Sequence, residues 1–156
     1  MRLQKNTSLA LYSVLEFAGH PARHTSAAEI AAKHGVSPHH LAKVLAALAR
    51  SGMLESVRGA GGGYRFTGNA RRLTLMDIIQ VFEEFVPSAT QRKAPSELTP
   101  VDRALDTVLS EIDDYAKATF SSITLATMLR LIERQQAGAV AAQAPPAAPG
   151  PRQRHT

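Results

Sequence analysis

The chain has no cysteine. That absence excludes disulfides, thiolate metal sites and every form of cysteine chemistry. It also has no run of about 18 apolar residues, the length a membrane-spanning helix needs, so no membrane partner is expected. The start, MRLQKNTSLALYSVLEFAGH, has some of the character of a secretion signal. Glu16 interrupts its apolar run, however, and no small-residue cleavage site follows, which points to a cytoplasmic protein. Catalytic patterns are missing too. No Ser/His/Asp arrangement and no carboxylate pair at catalytic spacing stands out, so the chain is not expected to be an enzyme. The histidines do not add up to a metal site. Pro21 separates His20 from His24, and adjacent His39 and His40 point in different directions on a helix. No metal and no cofactor is expected.

What remains is a chain of 156 residues, 44% apolar and 20% charged, sized for one or two small domains. Its net charge of +5 is unevenly spread. Residues 1–72 hold ten Lys+Arg against three Asp+Glu, a net +7, while residues 73–135 hold six against ten, a net −4. The tail, 136–156, adds +2 from Arg152 and Arg154. A basic first half suits a polyanion partner, although charge alone fits a solvated surface imbalance as well.

Periodicity organises the chain. Leu11, Val14, Leu15 and Ala18 predict a helix over about 7–19, stopped by Gly19-His20-Pro21. Ser26 and Glu29 form a capping box that opens a second helix. Gly35 supplies the left-handed turn, and Ser37-Pro38 starts a third helix as N-cap and first helical residue. Leu41, Val44, Leu45 and Leu48 form its inward face. Counted as a 20-residue helix–turn–helix from Ala27, the small, glycine and apolar positions fall on Ile30, Ala31, Gly35, Val36, Leu41 and Val44. His34 is a mild departure. MLESV and YRFT then read as two strands around RGAGGG, a β-hairpin. The glycines fail a nucleotide-loop reading. The sixth position of a GxGxxG register is Tyr64, and a strand rather than a helix follows.

Thr74 to about Phe85 reads as a further helix. VPSATQRKAPSEL, residues 86–98, reads as a linker. Thr99-Pro100 opens a long helix to about Phe120, with Val101, Leu105, Val108, Ile112, Tyr115 and Thr119 in a heptad-like seam. Ala104, Leu109, Ala116 and Phe120 form a second apolar line. A helix with two such lines predicts a homodimer. A short helix over about 124–134 follows. The Ala/Pro-rich tail, 136–156, reads as disordered.

The fold expected is therefore mainly α. A winged helix-turn-helix with a two-stranded β-hairpin wing occupies residues 1–85, the linker 86–98, and a dimerisation helix with a final short helix 99–135. The order MRL, GVSPHHLAKVLAALARSG, SVRGAGGGY, LTLMDII and ITLATML over about residues 1–135 resembles the Rrf-two family of bacterial winged-helix regulators, the IscR, NsrR and CymR type. RGxGGGY is the most specific piece. The resemblance implies a dimer that acts on palindromic promoter operators in double-stranded DNA, read here as a repressor. Many members ligate an iron–sulfur cluster with three cysteines in the linker. Here VPSATQRKAPSELTP has none, with Pro100 near the usual last cysteine and Arg103 where some members offer a histidine. The resemblance is to cluster-free members, which sense a partner protein or a small-molecule effector.

In the DNA-binding reading, Ser37, His39, His40 and Lys43 enter the major groove, and Arg58, Gly59 and Gly61 form the wing contact. Arg2 and Lys5 touch phosphates. Val101, Leu105, Val108, Ile112 and Tyr115 carry dimerisation. Two alternatives stand beside it. One is a winged-helix protein–protein adaptor, which has no need of a basic wing. The other is a regulator sensing a small ligand or metal in the dimer cleft.

Overall fold

The structure, a computed structural model, describes residues 3–59, 62–83 and 98–143. Six helices and one hairpin follow in the order α1 (Lys5–Gly19), α2 (Ala27–His34), α3 (Pro38–Arg50), β1 (Leu54–Val57), β2 (Gly63–Phe66), α4 (Leu75–Ile79), α5 (Pro100–Ser122) and α6 (Leu125–Gln143). The fold is the mainly α winged helix expected from the sequence.

Helix starts follow their caps. Ser26 Oγ accepts from the Glu29 backbone N–H at 3.2 Å, and the Glu29 carboxylate accepts from the Ser26 N–H at 2.8 Å. The reciprocal pair satisfies two donors that a helix N-terminus otherwise leaves open. Thr74 with Asp77 and Thr99 with Asp102 repeat the device for α4 and α5. α1 has no side-chain cap of its own. Instead Glu83 Oε1 accepts from the Gln4 N–H at 2.8 Å, placing a carboxylate at the positive end of the helix. Gly35 takes φ 61°, the left-handed turn between α2 and α3.

One core joins these elements. Val14 and Phe17 of α1, Ile30 of α2, Leu41, Leu45 and Leu48 of α3, and Ile78 and Ile79 of α4 are almost fully buried together. Leu125, the first residue of α6, joins them. The start of α6 is also tied by backbone to the loop before α4. Leu125 N–H donates to the Leu73 carbonyl at 2.8 Å, Ala126 N–H to Ala70 at 2.8 Å, and Leu75 N–H to Ile123 at 2.9 Å. The chain thus leaves the winged helix along α5 and returns to it at α6.

Two boundaries and one packing feature differ from the sequence expectation. α4 is regular only to Ile79, after which i→i+3 bonds at Val81 and Phe82 tighten the chain into turns. α6 continues to Gln143 rather than ending near Arg134, so the stretch expected to be disordered begins as helix. Ala137–Gln143 is rich in the best helix former, and the first strong breaker is the Pro145-Pro146 pair. Residues 144–156 of the tail, and all of the linker but Leu98, lie outside the described residues. Finally, α5 buries none of its side chains fully. Its second apolar line is only partly covered: Leu109 is 42% exposed, whereas Phe120 packs on the core.

Candidate nucleic-acid interface

The recognition helix α3 begins where Ser37 Oγ accepts from the His40 N–H at 3.4 Å, with Pro38 in its first turn. Leu41, Val44, Leu45 and Leu48 are buried, so the opposite face is set by the 3.6-residue period. His39 and Lys43 stand exposed on it, as does Ser37 just before the helix. Arg50 lies on the same line and is exposed as well. It escapes the sequence reading, which stopped at the helix start, although the period points to it.

His40 differs from His39. Its helical position is on the flank, the residue is half-buried, and its Nε2 is enclosed without a hydrogen-bond partner. The two histidines are therefore separated: His39 is exposed, whereas His40 is half-buried with its Nε2 enclosed.

The hairpin follows at once. Leu54 pairs with Phe66, Glu55 with Arg65, Ser56 with Tyr64 and Val57 with Gly63. Leu54 and Phe66 anchor its base in the core, and Arg58 and Gly59 are exposed at its far end. Midway, Arg65 and Glu55 form a cross-strand ion pair at 2.8 Å. The hairpin is further tied to the chain before α2. Thr25 N–H donates to the Tyr64 carbonyl at 3.1 Å, and Tyr64 N–H donates back to Thr25 at 2.9 Å. Gly61 and Arg2 lie outside the described residues, and Lys5 is exposed at the start of α1.

Ion pairing sorts the basic residues of this half. Arg23 is held by Glu29 at 3.2 Å, Lys33 by Glu16 at 2.6 Å, and Arg65 by Glu55. Lys5, Lys43, Arg50 and Arg58 have no such partner among the described residues. Among the described residues, the cations on the exposed face of α3 and at the wing tip are thus uncompensated. Such an arrangement attracts phosphate. The Glu29 carboxyl is displaced from its ordinary range. Its ionised form is favoured first by the Ser26 backbone N–H, then by the Ser26 hydroxyl and by Arg23, so its pKa lies below the ordinary value.

The five residues expected at a dimer contact all face solvent. Val101 is 66% exposed, Leu105 54%, Val108 55%, Ile112 56% and Tyr115 76%. The line that α5 turns toward its own domain is instead mostly polar, with Asp102, Asp106, Ser110 and Asp113 half-buried.

Residues 3–131 match the Rrf2 family, described as iron-dependent transcriptional regulators. The chain is 47% identical over 136 residues to a protein of Rhodopseudomonas palustris named as the HTH-type transcriptional regulator BadM, covering 87% of this chain and 86% of that one. Among solved structures it is similar to CymR of B. subtilis, titled the global cysteine regulator, with a TM-score of 0.67 and 26% identity over 84% of this chain and 98% of that one. It is also similar to T. potens IscR, with a TM-score of 0.62 and 26% identity over 93% of each chain. The iron in the family description finds no thiolate donor in this chain. An iron–sulfur cluster is held by thiolates, and the chain has none. Among the described residues no group of three or more His, Asp or Glu is arranged to hold a metal. No described helix is long and apolar enough to cross a membrane. The winged helix, its open cationic face and the match across residues 3–131 place this chain in the Rrf2 family of helix-turn-helix transcriptional regulators.

Proposed function

We propose that the protein is a homodimeric repressor that binds a palindromic operator and works without an iron–sulfur cluster. The observation that carries the reading is the pairing of two surfaces on one chain: an uncompensated cationic face on α3 and the wing, and an apolar line on α5 turned to solvent. The first supports binding to duplex DNA. Ser37, His39 and Lys43 are read as groove contacts, Arg58 with Gly59 and Gly61 as the wing contact, and Arg2 and Lys5 as phosphate contacts. The enclosed Nε2 of His40 supports a lesser role for that side chain. An adaptor reading gains nothing from these cations.

The second surface supports the dimer. A helix that puts its polar line inward and its apolar line outward is inverted for a monomer. Pairing with a second copy covers Val101, Leu105, Val108, Ile112 and Tyr115, each already partly covered, so that each contributes roughly 1–2 kcal/mol if the remainder is buried. Two-fold pairing then sets two recognition helices about one turn of DNA, roughly 34 Å, apart or a multiple of it, which is what makes the operator a palindrome. Ile112→Asp places a carboxylate in that seam at a side chain that is 56% exposed in its own protomer. Light scattering should show the variant at half the wild-type mass, with the helical CD spectrum intact and palindrome binding lost. A wild-type protein that runs as a monomer at micromolar concentration refutes the reading.

A second reading concerns the input rather than the output. A cleft of about 750 Å³ lies between α1, α2 and α6, with Tyr12 stacked on His34 at 5.3 Å and Leu129 and Ile132 opposite. That volume favours a small-molecule effector acting between the helix-turn-helix and the C-terminal helix.

A further inference from the structure

The exposed line of α3 extends past the residues that read bases. His39, Lys43 and Arg50 are spaced by four and seven residues, so at about 100° per residue they fall within roughly 40° of one another around the axis. Along the axis, Lys43 is about 6 Å and Arg50 about 16 Å beyond His39 at 1.5 Å per residue. The major groove is only about 12 Å wide. A helix that enters the groove by its N-terminal turn therefore carries Arg50 to the wall of the groove, level with the phosphates. Arg50 also stands just before the Ser51-Gly52 turn that leads into β1, so it sits at the root of the wing whose far end bears Arg58. No carboxylate neutralises it among the described residues.

We propose that Arg50 is a phosphate clamp at the root of the wing, gripping the strand that separates the groove read by α3 from the groove entered by Arg58. The clamp rests on the DNA-binding reading above and adds to it a residue that positions the helix without reading sequence. The competing role is internal. Arg50 lies in the last turn of α3, where a cation complements the negative end of the helix. The two roles part on salt dependence, because only a phosphate contact releases a counterion from DNA.

The test uses the full-length protein and two duplexes: the sequence that the wild type enriches from genomic fragments, and a shuffled sequence of the same composition. Affinity for both is measured from about 50 to 200 mM salt for the wild type, Arg50→Ala and Arg50→Lys. Arg50→Ala should make the salt slope shallower by about 1 per bound protomer on both duplexes, about 2 for a dimer. Its deficit should then shrink roughly 12-fold across that salt range, the value a slope difference of about 1.8 produces. Arg50→Lys should restore the slope, since a phosphate needs only the charge. An unchanged slope in Arg50→Ala overturns the clamp, whether affinity falls or not. A loss confined to the enriched duplex overturns it as well, since that is the mark of a base contact. A wild type that binds neither duplex overturns the regulator reading itself, a result plainly distinct from the other two.

Discussion

Gly63→Ala is the sharpest test of how the wing is held. Gly63 opens β2, where the hairpin meets the chain before α2. A Cβ built there would lie 2.5 Å from the Thr25 carbonyl oxygen, 2.8 Å from its carbon and 3.0 Å from the Ser26 nitrogen. All three are backbone atoms, so no side chain can swing aside. The hairpin must move by about 0.9 Å or more to bring the 2.5 Å approach out to an ordinary 3.4 Å contact, and the bonds it would give up are known. Thr25 N–H to Tyr64 O and Tyr64 N–H to Thr25 O contribute about 0.5–1.5 kcal/mol each. The tilted contact of Tyr64 with Phe17, at 6.4 Å between ring centres, weakens with them. A loss of about 1–3 kcal/mol follows, less than the roughly 5–15 kcal/mol of a typical domain, so the variant should still fold. Urea unfolding followed by CD measures the loss, and DNA affinity should fall with it because the hairpin that carries Arg58 is no longer tied to the chain before α2. Unfolding free energy within about 0.5 kcal/mol of wild type, the range of ordinary surface substitutions, would refute the argument.

Two further predictions concern the site and its supports. Arg58→Ala should weaken operator binding by roughly 1–3 kcal/mol, most at sites with A·T-rich flanks, whereas Lys43→Ala should relax preference at one major-groove position; gel-shift titrations on operators differing only in flanks or only in core separate the two. For pH, the sign follows from the lowered pKa of Glu29: its contribution is present above the unfolded value, near 4.5, and is lost as pH falls through the lower folded value. Wild type should therefore lose stability more steeply than Glu29→Gln on acidification below that point, and parallel curves from the two proteins would remove the capping carboxylate as a cause.

Much of this architecture was legible because its signals are local. Ser26 with Glu29, Ser37 with Pro38 and Thr99 with Pro100 each specify a helix start within a few residues, and the structure begins its helices there. The inward face of α3 follows from period alone. The differences arise where partners distant in sequence decide. Gly63 reads as freedom at a hairpin tip, but its lack of a side chain is required by Thr25, thirty-eight residues earlier. The N-terminus of α1 has no cap nearby because Glu83 supplies the carboxylate from across the domain. His39 and His40 look equivalent in the sequence, yet a rotation of about 100° puts one in solvent and the other against the fold. The extension of α6 has a different origin. Ala-rich and Pro-rich stretches share one low-complexity composition, yet alanine favours a helix whereas proline does not.

The polarity of α5 links the two halves of the proposed mechanism. Its apolar seam points away from its own domain, while its following residues return to that domain through Ile123, Thr124 and Leu125. Those residues are bonded to the segment between the wing and α4, and Leu125 is buried in the core that also holds Leu41, Leu45 and Leu48 of the recognition helix. A change in how two copies pair along α5 would thus meet the DNA-binding half at a closely packed junction. Packed cores transmit such a displacement instead of absorbing it. The cleft between α1, α2 and α6 opens beside the same junction, lined by Met128 and Leu129 one turn further along α6. A ligand there would bear on the orientation of α6 and, through the shared core, on the spacing of the two recognition helices. In the proposed dimer, operator affinity would depend on that spacing, so the junction at Leu125 is where an effector bound in the cleft would have a short path to the recognition helices.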